Sequence, residues 1–206
     1  MMRPKPTALL IDLDGTLRRW DPAVIHGIEV AHGLPPGTLH TAAIDWSRLM
    51  PVIIGDLTHD EWAEVIIADL TDQTGDEDQA RAAVKEWESY RGTVEPGLLE
   101  LIRAARAAGI KVGLATNGTD LLQADLRALG LTDEFDAVIN SSELHIPKPA
   151  PEYFGAACQA LDTPPGQVLF VDDSDRFVRG ARAVGLAAYR WTGPDDLPYL
   201  RAALGL

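Results

Sequence analysis

The 206-residue chain has a single cysteine, Cys158, which excludes an internal disulfide framework and suits a reducing compartment. Its neighbours, Phe154 to Leu161, read as a buried helix face, so Cys158 is expected to pack rather than react. Basic residues are scarce: 18 Lys and Arg stand against 31 Asp and Glu, a formal net charge of -13. That balance argues against non-specific binding to nucleic acid or to an anionic membrane, since both need a basic surface. It leaves room for a local basic pocket around one phosphate. No apolar stretch approaches the roughly 20 residues needed to span a bilayer. Met1 to Thr7 is too short and too Pro-rich for a signal peptide, so a cytoplasmic location is expected. There is no internal repeat and no low-complexity segment.

What is present is an ordinary folded composition, 46% hydrophobic and 24% charged, over a length that suits one domain or a core with an insertion. The most informative stretch is Leu9-Leu10-Ile11-Asp12-Leu13-Asp14-Gly15-Thr16-Leu17. Its apolar run has strand length and stops at Gly, which favours a buried strand over a helix. Side chains alternate along a strand, so Asp12 and Asp14 are expected on one side of its C-terminal tip. Two acids so placed are costly unless a cation or a shared proton compensates them. A plain Asp-Gly strand exit is the competing reading, and only the downstream pattern separates the two.

From about Arg18 to Arg91 the chain reads as helices broken at Gly33–Gly37 and at Met50-Pro51. Thr58-His59-Asp60-Glu61 is a capping-box start for a helix through Leu70, followed by an acidic loop and a helix over Gln79–Tyr90. Trp46, Trp62 and Trp87 read as the small core of this block rather than as ligand-stacking groups. From Glu95 onward, helices and short apolar strands alternate. Strands are expected at Ile110–Ala115, Asp136–Ile139, Gln167–Val171 and Leu186–Trp191. Helices are expected at Leu98–Ala108, Asp120–Leu129, Pro151–Leu161 and Asp175–Val184. Such alternation implies a parallel, Rossmann-like α/β sheet with helices on both faces, and ligands then sit beyond the carboxyl ends of the strands.

Asp12, Asp14, Thr116, Asn117, Asp172 and Asp173 all follow directly on apolar strands, and Lys148 lies in a loop between Pro147 and Pro149. Several carboxylates, one Lys and a hydroxyl suit a hard divalent cation beside a phosphoryl group, with Mg²⁺ as the oxygen-selecting choice. In this order, Asp12-Leu13-Asp14-Gly15-Thr16, Thr116-Asn117, Lys148-Pro149 and Asp172-Asp173-Ser174, the chain resembles the haloacid dehalogenase-like hydrolase superfamily over nearly its whole length. The resemblance implies a catalytic core of residues 1–17 and 92–206 and a helical cap of residues 18–91. It implies Asp12 as nucleophile, forming an aspartyl-phosphate, and Asp14 as the acid that protonates the leaving oxygen and then activates water. It further implies Thr116, Asn117 and Lys148 on the phosphoryl group. Mg²⁺ would lie among Asp12, the Asp14 backbone carbonyl and Asp173, with Asp172 one layer behind.

The dehalogenase branch lacks the second acid of the first motif, and Asp14 is present here, which favours phosphate chemistry. The expectation is therefore a Mg²⁺-dependent phosphatase for a small phosphorylated metabolite, acting as a monomer or homodimer. A phosphomutase resembling β-phosphoglucomutase, a haloacid dehalogenase and a non-catalytic protein of the same fold are the alternatives. Two positions depart from the family pattern: His145 ahead of Lys148, and Phe177 beyond Asp173. His145 reads as a loop residue satisfied by backbone, with substrate contact as the other option. Trp20, His26, Arg48 and Met50 are candidate cap contacts, and Arg48 reads first as a solvated charge.

Overall fold

The computed structural model describes residues 5–206. Its strands are β1 (Ala8–Ile11), β2 (Arg18–Arg19), β3 (Thr93–Val94), β4 (Lys111–Thr116), β5 (Ala137–Asn140), β6 (Val168–Asp172) and β7 (Ala187–Arg190). Five of them form a parallel sheet in the order β5-β4-β1-β6-β7. Every residue of β1 and β6 is buried, as strands covered on both faces must be. The chain builds outward from β1 through β4 to β5, then returns to add β6 and β7 on the other side. The reversal at β1 opens a crevice at the carboxyl ends of the strands.

Helices α1 (Pro22–Ala31), α2 (Thr38–Ile44), α3 (Trp46–Ile53), α4 (His59–Thr74) and α5 (Glu77–Ser89) lie between β2 and β3. The remainder are α6 (Pro96–Ala107), α7 (Leu122–Ala128), α8 (Ser141–Leu144), α9 (Pro151–Ala160), α10 (Asp175–Ala183) and α11 (Leu197–Leu204). Alternation along β1 sorts the sheet into two faces. Leu9 and Ile11 join Leu101, Leu126 and Leu200 in one apolar cluster, from α6, α7 and α11. Ala8 and Leu10 join Phe154, Cys158 and Ala181 in another, from α9 and α10. Cys158 is thus a packing residue. The sheet with helices on both faces is as the sequence implied.

Helices α1 to α5 enclose a third apolar cluster of their own, centred on Leu39, Val52, Ile66, Leu70 and Val84. The capping box at Thr58 and Glu61 is formed, but α4 continues past Leu70 to Thr74. There the hydroxyls of Thr71 and Thr74 donate to the carbonyls of Ile67 and Leu70, so these polar residues extend the helix instead of opening a loop. The segment is tied to the sheet half by the antiparallel pair β2–β3, with Arg18 opposite Val94 and Arg19 opposite Thr93. Trp62 and Trp87 pack with the third cluster, as expected. Trp46 does not: it is half exposed, with the Arg176 guanidinium 5.8 Å from its ring centre. Among the described residues no helix is long and apolar enough to cross a membrane.

Candidate active site

Asp12 lies just past the end of β1, its N–H donating to the carbonyl of Val171 (2.9 Å), so the central strand delivers its carboxylate to the crevice. Lys148 enters from the loop before α9 and is fully buried. Its Nζ donates to Asp12 Oδ1 (2.7 Å), Asp172 Oδ2 (2.7 Å) and the Ala115 carbonyl (2.9 Å), which uses all three ammonium hydrogens. The Lys148 backbone is fixed by Asn117, whose Oδ1 accepts from the Lys148 N–H (2.7 Å) and whose Nδ2 donates to its carbonyl (3.2 Å). Phe177 and Phe170 stand 5.0 and 5.5 Å from Nζ. The residue that departs from the family pattern therefore walls the ammonium with an aromatic face.

Charge does not balance in this cluster. Burial alone would pull the Lys148 ammonium down, but Asp12 and Asp172 outweigh it and hold it above its ordinary value. Burial pushes the Asp12 carboxyl up to about 8, against the attraction of Lys148 and with the help of the Asp172 charge. Asp173, exposed at the rim beside them, is raised as well, by partial desolvation first and the Asp172 charge next. One ammonium cannot neutralise three acids.

Asp12, Asp172 and Asp173 each bring a carboxylate oxygen within 4.8 Å of the others. Asp172 is already committed, accepting from the Ser174 N–H (2.8 Å) and from Lys148. Thr16 spans the other two: its hydroxyl donates to Asp12 Oδ2 (3.3 Å) and accepts from the Asp173 N–H (3.1 Å). At Gly15, with φ +86°, a Cβ would stand 2.3 Å from Asp173 Oδ2. The backbone thus closes against that carboxylate in a way only glycine permits. Three converging acids with a single compensating cation can hold a hard divalent ion through oxygen ligands.

Asp14 goes elsewhere. β1 has ended by Ile11, so alternation no longer aligns the two aspartates, and the Asp14 side chain is 40% exposed where Asp12 is buried. Asp14 Oδ1 accepts from Arg18 Nε (2.7 Å) and Trp20 Nε1 (2.7 Å), and Oδ2 accepts from Arg18 Nη2 (2.9 Å). Arg18 also donates to buried Asp125 (2.7 Å), which pairs in turn with Arg91 (3.2 Å). Both carboxylates hold the Arg18 guanidinium charged against the cost of its burial.

A cavity of about 410 Å³ opens beside Asp14, between the sheet half and helices α1 to α5. Asp14, Arg18, Asn117 and Asp125 form one end, and His59, Trp62 and Trp87 belong to the helical wall. Of the expected cap contacts, Trp20 lines it. His26 instead sits 3.9 Å from Glu29, Arg48 pairs with Asp69 (2.6 Å), and Met50 packs in the helical cluster. Thr116 ends β4 and is buried. His145, at φ 56°, donates from Nδ1 to the Ile54 carbonyl (2.7 Å), the backbone-satisfied role expected of it. Arg18, Asp125 and Arg91 were not singled out in the sequence. Arg18 carried the one available signal, a cation four residues after Asp14.

The family model described as haloacid dehalogenase-like hydrolase matches residues 6–185. The chain belongs to that family. Among relatives of this hydrolase, a protein named N-acetylmuramic acid 6-phosphate phosphatase from Pseudomonas aeruginosa is 26% identical over 96% of this chain and 88% of its own length. A phosphoglycolate phosphatase (plasmid) from Cupriavidus necator is 30% identical over 97% of this chain and 86% of its own. The (S)-2-haloacid dehalogenase 4A of Burkholderia cepacia is 32% identical, over 59% of this chain and 51% of that enzyme. In fold, the hydrolase is similar to the HAD family enzyme BT-2542 of Bacteroides thetaiotaomicron, solved in complex with magnesium and inorganic phosphate. The TM-score is 0.73 at 23% identity, over 95% of this chain and 98% of that one.

Proposed function

We propose that this hydrolase is a Mg²⁺-dependent phosphatase for small phosphomonoesters, working through an aspartyl-phosphate on Asp12. The observation that carries the reading is the division of labour between two acids. Asp12 is buried against Lys148, while Asp14, two residues on, faces the cavity where a leaving group would sit. A displaced halide needs no proton, whereas an alkoxide does, and Asp14 is placed to serve it. The two full-length relatives named above are phosphatases, which supports the same branch.

In this reading an Asp12 carboxylate oxygen attacks phosphorus, the bond from phosphorus to the ester oxygen breaks, and Asp14 supplies the proton to that oxygen. Water then attacks the same phosphorus with Asp14 as base, which frees the Asp12 carboxylate and releases phosphate. Lys148 offsets the repulsion between the anionic nucleophile and the anionic ester. Thr116 is the phosphoryl contact at the tip of β4, and Asn117 serves by fixing the loop that presents Lys148. Asp12 and Asp173, with the Asp14 carbonyl, would hold the magnesium ion, and Asp172 orients Lys148. When bound, the ion supplies positive charge to the phosphoryl oxygens. Residues 18–91 act as a cap over a core formed by 1–17 and 92–206.

The test is phosphate release from a panel of phosphomonoesters, with Mg²⁺ and with a chelator. Release is expected only with the ion and is lost in Asp12→Asn. Chloride release from L-2-chloropropionate, without phosphatase activity, would place the chain in the dehalogenase branch instead.

A further inference from the structure

The two guanidinium groups that line the cavity are held very differently. Arg18 is buried and donates three bonds, two to Asp14 and one to Asp125. Arg91 has a single partner among the described residues, Asp125 Oδ1 at 3.2 Å, and that contact lacks the geometry of a hydrogen bond. None of its five N–H groups therefore meets an acceptor at bonding geometry in the protein, although its side chain is 34% exposed and lines the cavity. Its backbone is nonetheless fixed. Gly92 follows at φ +73°, so close that an added Cβ would stand 2.7 Å from the Arg19 carbonyl oxygen and 2.9 Å from Arg18 Cγ. The chain at Arg91 is thereby pressed onto β2, the strand that carries Arg18.

Arg91 stands one carboxylate away from the clasp on Asp14. Arg18 links Asp14 to Asp125 Oδ2 by bonds of 2.7 Å on each side, and Arg91 meets the other oxygen of Asp125. The uncommitted donors and the proposed acid thus share one end of the cavity, while Ile25, Leu49 and Ile53 give it aliphatic surface. The one acid of the lining outside this network, Glu88, lies 2.9 Å from His59 Nε2 and is occupied there. When Asp14 carries the proton it is to donate, the network sets two guanidinium charges against the single carboxylate of Asp125. An anionic oxygen arriving at that end then meets opposite charge and a planar fork of N–H groups, the arrangement that grips a carboxylate at two points.

We propose that Arg91 sets specificity by binding a carboxylate of the leaving group a few bonds from the ester oxygen, so that the hydrolase prefers phosphorylated hydroxy acids. The proposal rests on the phosphatase reading for its chemistry and on Arg91 alone for its selectivity. An uncharged leaving group of the same size leaves the fork without its anion.

Hydrolysis and binding test it separately on the full chain with Mg²⁺. Phosphoglycolate and phosphoglycolamide, which differ only in the carboxylate, are compared by kcat/KM, and binding of isotope-labelled glycolate is followed by NMR line broadening. The acid is expected to exceed the amide at least tenfold, mostly through KM, the worth of a charged hydrogen bond. Arg91→Gln should bring that ratio to within about twofold and abolish the broadening of glycolate. Arg91→Lys, which restores the charge without the fork, should leave the ratio in between. A ratio taken within one protein is not moved by a general loss of folded enzyme, so a purely structural role for Arg91 would leave it unchanged. Should Arg91→Gln not fold, Arg91→Lys decides: a fall in the ratio of at least about threefold supports the proposal, and no fall overturns it. A wild type that favours the amide, or a preference for the acid that survives Arg91→Gln, overturns the proposal and leaves the phosphatase reading intact. Glycolate binding that depends on Arg91, without hydrolysis of any ester, supports the carboxylate site and overturns the phosphatase reading.

Discussion

Arg18 grips Asp14 by two parallel bonds, Nε to Oδ1 at 2.7 Å and Nη2 to Oδ2 at 2.9 Å. With Trp20 on Oδ1 as well, neither oxygen of the proposed acid is idle. For Asp14 to pass a proton to a leaving oxygen, one of these bonds must open. The proposed acid is thus stored on a guanidinium that itself is pinned to Asp125. Replacing Asp14 with Asn keeps its size and lets its carbonyl oxygen still meet Arg18. The expected result is a folded protein whose kcat falls about 10²–10⁴-fold, checked by phosphate release beside a melting curve. Near-wild-type turnover would remove Asp14 from the chemistry.

Arg18→Met removes the shared cation while keeping an unbranched stem. Buried Asp125 then has only Arg91, and breaking a buried pair from one side costs about 3–5 kcal/mol. At this chain length that corresponds to a fall of about 10 °C in Tm. A shift under 2 °C would mean the network is structurally idle.

Asp12 links stability to pH. Its carboxyl is raised in the folded chain to about 8, chiefly by burial, from about 4 when unfolded. The folded form binds that proton more tightly, so the contribution is complete below about pH 4 and disappears as pH rises through about 8. In chelator, wild-type Tm should fall between pH 6 and 9, while Asp12→Asn stays flat and exceeds it by several degrees at pH 9. Added Mg²⁺ should restore the wild type at high pH by replacing the lost proton's charge. Parallel curves for the two proteins would rule out Asp12 as the source.

Much of this site was legible before the coordinates. β1 and β6 are short apolar runs buried on both faces, and strands of that kind declare themselves by composition. The acids at their ends stand out because nothing apolar explains them. What was hidden is pairing across the chain. Arg18 and Asp125 are 107 positions apart, and on α7 Asp125 reads as an ordinary polar residue of an amphipathic helix. The β2–β3 ladder has only two residues per strand, too few to show a period, and α11 lies beyond the motifs that organised the reading. Trp62 satisfied the packing expectation and also belongs to the cavity wall, a distinction no hydrophobicity pattern carries.

Gly15→Ala tests the cation site without touching a carboxylate. The added methyl would enter the space of Asp173 Oδ2, and φ +86° strains any side chain by roughly 1–2 kcal/mol. The Mg²⁺ concentration giving half-maximal activity should rise at least tenfold, with Tm lower by only a few degrees. An unchanged magnesium titration would place the ion away from Asp173.

The bond from His145 to the Ile54 carbonyl spans the seam between the helical half and the strand half, three residues ahead of Lys148. Any excursion of α3 tugs on the loop that presents the ammonium. An ester too bulky for the crevice would therefore suffer twice: it would prise the halves apart, and in doing so slacken the very charge meant to steady its phosphate.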